Sequence, residues 1–335
     1  MGSAGMILAG DVGGTKTDLT LMTVEGNRLV TRAQASFSSP NYPSLEAILR
    51  EFLQQHRPES VLYACFGVPG PVVQGSCVTT NLGWVVELRK VQQALNSERV
   101  ALLNDLEAMG YGVADLIPDQ LLVLNAGWPW PEANAAIIAA GTGLGEAILF
   151  WDGRQHRPVA SEGGHTDFAP RTPLEMDFLR YALARLGHVS YDHVVSGPGL
   201  HLIYCFLRDT GKAEEPAWLA EKLGRGDPSA AITEVALAGQ VELCVQALDM
   251  FVSFYGAEAG NLALKTLARA GIYLGGGIAP KILTKLQDGT FMRAFTAKGR
   301  MSALVSEIPV RVILEPKTAL HGAARYAAQQ AGCLS

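Results

Sequence analysis

The sequence predicts an α/β fold of two domains facing one another across a cleft. Three observations carry this. The chain has 335 residues, more than one hydrophobic core usually spans. Strand-like apolar runs alternate with helical ones along its length. The opening pattern of strand, glycine turn and strand recurs near the middle, so the halves read as a duplication. No short-period repeat is present, which speaks against a solenoid.

Residues 6–37 read as three strands. The first, 7–9, enters a glycine turn; the second, 17–24, alternates apolar and polar; Gly26-Asn27 then forms a hairpin turn to 29–37. Ser44 caps a helix that places Leu45, Ile48, Leu49, Phe52 and Leu53 at helical spacing. Strands follow at 61–66 and 100–103, and the latter runs into Asn104-Asp105 and a helix over 106–116. The pattern then restarts with strands at 121–124, 136–140 and 146–151. Helices are expected at 173–186, at 199–208 and over most of 229–267. A strand at 271–274 ends in Gly275-Gly276-Gly277 and leads to a helix near Pro280. A late strand, 310–314, and a closing helix, 319–330, complete the chain. The expected division is a small domain, 1–113 plus 318–335, and a large one, 114–317.

Composition excludes several functions. Hydrophobic residues make up 48% and charged residues 18%, as in a well-buried globular protein. The net charge of -5, with no basic stripe, argues against nucleic acid as a partner. No apolar run approaches the ~20 residues of a membrane helix, and no signal-like segment opens the chain. The expectation is a cytoplasmic protein without a membrane partner. Cys65, Cys77, Cys205, Cys244 and Cys333 stand alone, odd in number and never spaced C-x-x-C. That fits a reducing compartment and argues against a disulfide framework or a zinc knuckle.

The glycine turns carry the chemistry. In "ILAGDVGGTKT" the lysine follows a threonine, so P-loop spacing fails. The residues after the glycines alternate as a strand, so a dinucleotide fingerprint fails too. The turn joins two strands, and its backbone N–H groups can face an anion. Asp11 suits magnesium held through water, because that ion keeps much of its hydration. "AGTGLG", Ala140 to Gly145, repeats the construction. "LGGGI", Leu274 to Ile278, follows a buried strand and could let backbone lie flat against a base or ribose. Any one of these is an ordinary tight turn; three at strand ends are a pattern.

Polar side chains cluster near the other strand ends. Asn104 is a natural helix cap, and Asp105 at a helix start is placed to accept a hydroxyl proton during phosphoryl transfer. Glu162-Gly163-Gly164-His165 sets an acid and a histidine on a glycine loop, where both can reach one small polyhydroxyl ligand. Metal ligation is disfavoured, because two glycines oppose a helix there. Asp192 in "HVSYDHVVSGPG" and Asn81 in "VTTNLGW" are weaker candidates, the latter with Trp84 as an apolar wall.

"GDVGGTKTDL", "NDLEA", "AAGTGLGEA", "EGGHTDFAP", "HVSYDHVVSGPGL", "GNLAL" and "YLGGGIAP" occur in this order. Together they closely resemble the bacterial glucokinases of the actin–hexokinase superfamily, from about residue 7 to about 326. The resemblance implies two RNase H-like, actin-like ATPase domains around a central cleft. It implies ATP-dependent phosphorylation of glucose at the 6-hydroxyl, with Mg2+, in a homodimer. It implies Asp105 as catalytic base, and Asn104, Glu162, His165 and Asp192 on the sugar, with Asn81 close by. Gly10, Gly13, Gly14, Thr15, Gly141, Thr142 and Gly143 fall on the phosphate turns, Asp11 on magnesium, and Gly275, Gly276 and Gly277 on adenosine.

Two departures stand out. The family usually has Glu where this chain has Asp192, which bears on sugar affinity and epimer tolerance. The zinc-binding cysteines of the wider repressor and kinase relatives are missing after His165, so no zinc is expected. The alternatives are a kinase for another hexose or amino sugar, or a sugar-sensing regulator without catalysis. A regulator of that kind carries a helix-turn-helix segment before the first strand, for which residues 1–5 leave no room.

Overall fold

The computed structural model describes residues 5–79 and 82–334; Asn81 lies outside the described residues. In chain order the first elements are β1 (Met6–Val12), β2 (Lys16–Glu25), β3 (Arg28–Ser38), α1 (Leu45–His56), β4 (Val61–Val68), β5 (Ser76–Val78), β6 (Val85–Glu87), α2 (Leu88–Leu95), β7 (Val100–Asn104) and α3 (Asp105–Val113). Next come β8 (Leu121–Asn125), β9 (Ala135–Ala140), β10 (Leu144–Trp151), β11 (His156–Ser161), α4 (Pro173–Leu186), α5 (Gly197–Asp209), α6 (Ala217–Leu223), α7 (Pro228–Leu237) and α8 (Glu242–Thr266). The last are β12 (Gly271–Gly275), α9 (Leu283–Leu286), α10 (Thr290–Thr296), α11 (Ser302–Ser306), β13 (Val310–Ile313) and α12 (Thr318–Gln330). Among the described residues all five cysteines are free, and no single helix is long and apolar enough to cross a membrane.

The chain divides into two compact units. One holds the residues up to 117, Arg157–Ala160 and those from 315 on; the other holds Pro118–His156 and Ser161–Leu314. In the first unit the sheet order is β3-β2-β1-β4-β7, with β1 antiparallel to β2 and parallel to β4. Side chains of β1 alternate between two cores: Leu8 and Val12 pack with Phe37, Phe52 and Phe66, while Ile7 and Ala9 pack with Leu320, Ala323 and Ala327 of α12. A strand buried on both faces reads as a near-continuous apolar run, as "MILAG" does before Asp11.

Helix α12 lies close against α3. A Cβ on Gly112 would overlap the Thr318 carbonyl, and one on Gly322 the Ala108 carbonyl. Two side-chain-free positions therefore allow near backbone contact and fix the axis of α3, whose first residue is Asp105.

The second unit repeats the four central strands: β10-β9-β12-β13 matches β2-β1-β4-β7 in order and direction. Helix α8 is buried nearly all round, with Phe251, Phe254 and Tyr255 in the core, as expected for a helix without a polar face. The strand at 121–124 was expected to restart the pattern. It instead pairs antiparallel with β13 at the sheet's edge, and the duplicate begins at β9. Ser44 takes the N-cap position of α1, but its side chain makes no capping bond. Trp84, expected as a site wall, is buried in the core with Phe66 and Val86.

Candidate active site

In the first unit, β1 runs into the turn as the sequence indicates. The Gly13 N–H donates to the Lys16 carbonyl at 2.9 Å, and Asp11 stands opposite Asp18 in the ladder. Ser39 pins the loop from beside: its hydroxyl donates to the Gly13 carbonyl at 2.7 Å and meets the Thr17 hydroxyl at 2.9 Å. Sequence reasoning did not single out Ser39, which lies just past the end of β3 in a 3-10 turn, distant in sequence from Gly13. Gly14 and Thr15 are at least partly open to solvent. Gly10 has a packing reason: a Cβ there would run into Phe66 and Leu19. Lys16, the false echo of a P-loop, extends to solvent and pairs with Asp18 at 2.7 Å.

Asp11 is half-buried at the end of β1. Burial, and then the charges of Asp105 and Asp18, push its carboxyl up to about 7 against the pull of Lys16. Acids gathered with so little compensation suit a divalent cation. Among the described residues no group of three His, Cys, Asp or Glu side chains is arranged as a metal cage. A cation beside Asp11 would therefore take most of its ligands from water and phosphate, the habit of Mg2+.

Asn104 caps α3 as its sequence suggests. Its Oδ1 accepts from the Leu106 and Glu107 N–H groups at 3.0 and 3.4 Å, and its Nδ2 donates to the Gly70 carbonyl at 3.2 Å. Asp105 follows, with Oδ1 accepting from Leu106 N–H at 2.9 Å. The amide ends of the helix favour negative charge there.

In the second unit, the Gly141 N–H donates to the Gly143 carbonyl at 2.8 Å, closing the β9–β10 turn. Asp192 braces this turn: its Oδ1 accepts from Leu144 N–H at 2.7 Å. Glu162 and His165 come together on a single 3-10 turn, with Oε2 and Nε2 4.0 Å apart and both side chains largely exposed. Backbone bonds lace that turn to the next segment, Tyr191 N–H to the Thr166 carbonyl at 3.0 Å and Asp192 N–H to the Gly164 carbonyl at 2.7 Å. Glu162, His165 and Asp192 thus belong to one small structure.

A cavity of about 890 Å³ lies beside the second turn, lined by Gly141, Thr142, Asp227, Ser229, Thr233, Gly277, Ile278 and Lys281. That volume suits a nucleotide-sized ligand. Gly277 reaches the cavity, whereas Gly275 is buried in β12 and Gly276 sits tight on the Ala140 carbonyl with φ +80°. Sequence reasoning missed the contribution of Asp227 to Thr233. The signal was present: Asp227-Pro228 is an N-cap followed by proline at the first helical position.

Two α/β units that share a strand order, each with a glycine turn joining its first antiparallel pair, define a protein of the actin-like ATPase fold class. A solved glucokinase from an Antarctic psychrotroph has this fold, with a TM-score of 0.83 at 30% identity over 97% of this chain and 99% of that one. The chain belongs to the glucokinase family: the Glucokinase family model matches residues 8–330. Glucokinases from Synechocystis sp. and Nostoc sp. are each 43% identical to it, covering 98% and 97% of this chain and 100% and 99% of theirs.

Proposed function

We propose that the protein is an ATP-dependent glucokinase that transfers the γ-phosphoryl group of ATP to the 6-hydroxyl of D-glucose, giving glucose 6-phosphate and ADP. The observation that carries this reading is Asp105, an acid on the first residue of a capped helix whose axis is fixed by its glycine contacts. In phosphoryl transfer the protein's main tasks are positioning and electrostatics, and an aspartate accepts the hydroxyl proton as attack proceeds. Family membership supports the substrate, and the cavity beside Gly141, Thr142 and Gly277 supports the nucleotide.

Other residues take the roles their positions support. Glu162, His165 and Asp192 bind sugar hydroxyls, with Asn104 contributing the bonding capacity that capping leaves over. Backbone N–H groups of Gly14 and Thr15, and of Thr142 and Gly143, meet phosphate, while the Gly13 and Gly141 amides close their turns. Asp11 holds Mg2+, which when bound offsets phosphate charge. A cytoplasmic homodimer is the assembly the family resemblance supports, and sedimentation equilibrium tests it.

The central test is Asp105→Asn. Turnover should fall by about 10²–10⁴-fold, while calorimetry still finds glucose and nucleotide binding. Turnover within a few-fold of the parent removes Asp105 from its role. A coupled assay across glucose, mannose, fructose and glucosamine tests the substrate, and equal kcat/KM for all four would overturn the assignment to glucose.

A further inference from the structure

Beneath the Glu162–His165 turn lies a buried acid that sequence reasoning did not single out. Glu146, on β10, is 2% exposed. A Cβ on Gly163 would overlap its Oε2, so the turn rests directly on this carboxyl. Its Oε1 has no hydrogen-bond partner among the described residues. The carboxyl of Glu258 on α8, which is 0% exposed, is the neighbouring acid that acts on Glu146 by charge and by contact. Two carboxyls can bond one another only if one carries a proton.

The surrounding charges decide which. Lys265 pairs with Glu258 at 3.1 Å. Lys298 donates to the Asn261 Oδ1 and the Ala257 carbonyl at 2.6 and 2.8 Å, and burial with Arg171 nearby pushes it down to about 8. Tyr191, flanked by Glu258 and Arg171, has its hydroxyl pushed up, chiefly by burial. Among the described residues neither lysine pairs with Glu146, whereas Lys265 pairs with Glu258, so Glu146 is the acid left without a paired cation. Burial first, and then the charge of Glu258, push Glu146 upward. Burial and charge thus favour the neutral form of Glu146.

The pair also reaches the other sugar-side element. Asn261 donates to Glu258 Oε2 at 2.7 Å and to the Tyr191 hydroxyl at 3.1 Å, and Tyr191 immediately precedes Asp192. We propose that Glu146 and Glu258 form a proton-sharing pair that positions the sugar-binding residues, holding the Glu162–His165 turn from beneath and, through Asn261 and Tyr191, the backbone that carries Asp192. This rests on the assignment of Glu162, His165 and Asp192 to sugar binding.

The experiment is steady-state kinetics of the full-length enzyme with ATP and glucose against pH. In the parent, the glucose KM rises as the pH is taken alkaline and the ATP KM stays flat. Glu146→Gln supplies an amide that donates as the protonated acid does, so it keeps the neutral-pH glucose KM and loses the alkaline rise. Glu146→Leu raises the glucose KM by about 10-fold, the scale of one lost hydrogen bond, with the ATP KM unchanged. Glu162→Ala is the control for the sugar assignment itself. If Glu162→Ala raises the glucose KM but Glu146→Leu does not, the positioning role is wrong. If Glu162→Ala leaves it unchanged, the sugar assignment is wrong instead. Should Glu146→Leu fail to fold, the alkaline rise persisting in Glu146→Gln would overturn the proposal. Infrared difference spectra of parent against Glu146→Gln read the pair without sugar: a protonated-carboxyl band at neutral pH is expected in the parent alone, and its absence would also refute it.

Discussion

Asp192 shows how a single residue serves two structures. One carboxylate oxygen closes on Leu144 N–H, while its backbone N–H is tied to Gly164. The side chain is therefore committed to the β9–β10 turn, while the backbone is tied to the Glu162–His165 turn. Asp192→Asn keeps an acceptor for Leu144 and should preserve stability. Asp192→Ala orphans that N–H and should cost about 1–3 kcal/mol, read as a shift in urea midpoint. Equal midpoints for the two variants would mean the brace contributes nothing. The buried pair adds a pH term. Because the Glu146 carboxyl is raised in the folded state, the folded chain holds a proton that the unfolded chain releases once pH passes the ordinary carboxylate range. Stability from this group is complete below that range and falls as pH climbs toward the raised value. Glu146→Gln should flatten that fall in a series of urea melts; a parallel fall in both proteins would count against the raised carboxyl. The cap made by Asn104 and the meeting of Glu162 with His165 were legible because each lies in a short motif whose geometry is local. Glu146 was not, because nothing near it in sequence announces Glu258 as its partner.

Elements were legible where their periodicity was long. The exact bounds of α4 and the core of α8 follow from apolar spacing, and β1, β4 and β9 follow from unbroken apolar runs. The helix expected near Pro280 is a 3-10 turn, Ala279–Lys281, followed by α9; helices α2, α6, α10 and α11 were missed, since five to eight residues give too few turns for a pattern to rise above chance. Strand β8 was seen but misplaced, because an edge strand and the first strand of a hairpin block have the same local pattern and differ only in a distant partner. The glycine seam between α3 and α12 was likewise invisible: Gly112 and Gly322 read as weak helix positions until the two helices are brought together. Their role sets a prediction. Gly322→Ala gains about 0.5–1 kcal/mol of helix propensity in isolation, yet its methyl meets the Ala108 carbonyl. The helices must separate, at a cost of roughly 1–3 kcal/mol, and α3 should carry Asp105 with it. A lower urea midpoint together with a reduced kcat is expected. A stabilised variant would show that the crossing has slack.

At the scale of the whole molecule, the duplicated strand order explains why both halves offer a glycine turn at the end of a buried strand. An antiparallel pair next to parallel strands leaves its turn at one end of the sheet, where amides are not consumed by the ladder. What differs between the units is what surrounds that turn. In the first it is pinned by Ser39 and faced by acids; in the second it borders a cavity of about 890 Å³. Adenosine should therefore be taken up by the second unit, through residues 140–142, 227–233 and 277–282. Binding to the folded state alone stabilises by about 2.7 kcal/mol at a ligand concentration one hundred times Kd, so ADP should slow amide exchange in those three segments. Helix α1, buried in a core of the first unit by Ile48, Leu49 and Phe52, serves as the internal reference and should exchange at an unchanged rate. Exchange measured with ADP, without sugar, separates the possibilities. Protection at 140–142 without protection at 227–233 would move the adenosine out of this cavity, and equal slowing of α1 would mean that the nucleotide acts on global stability rather than at this site.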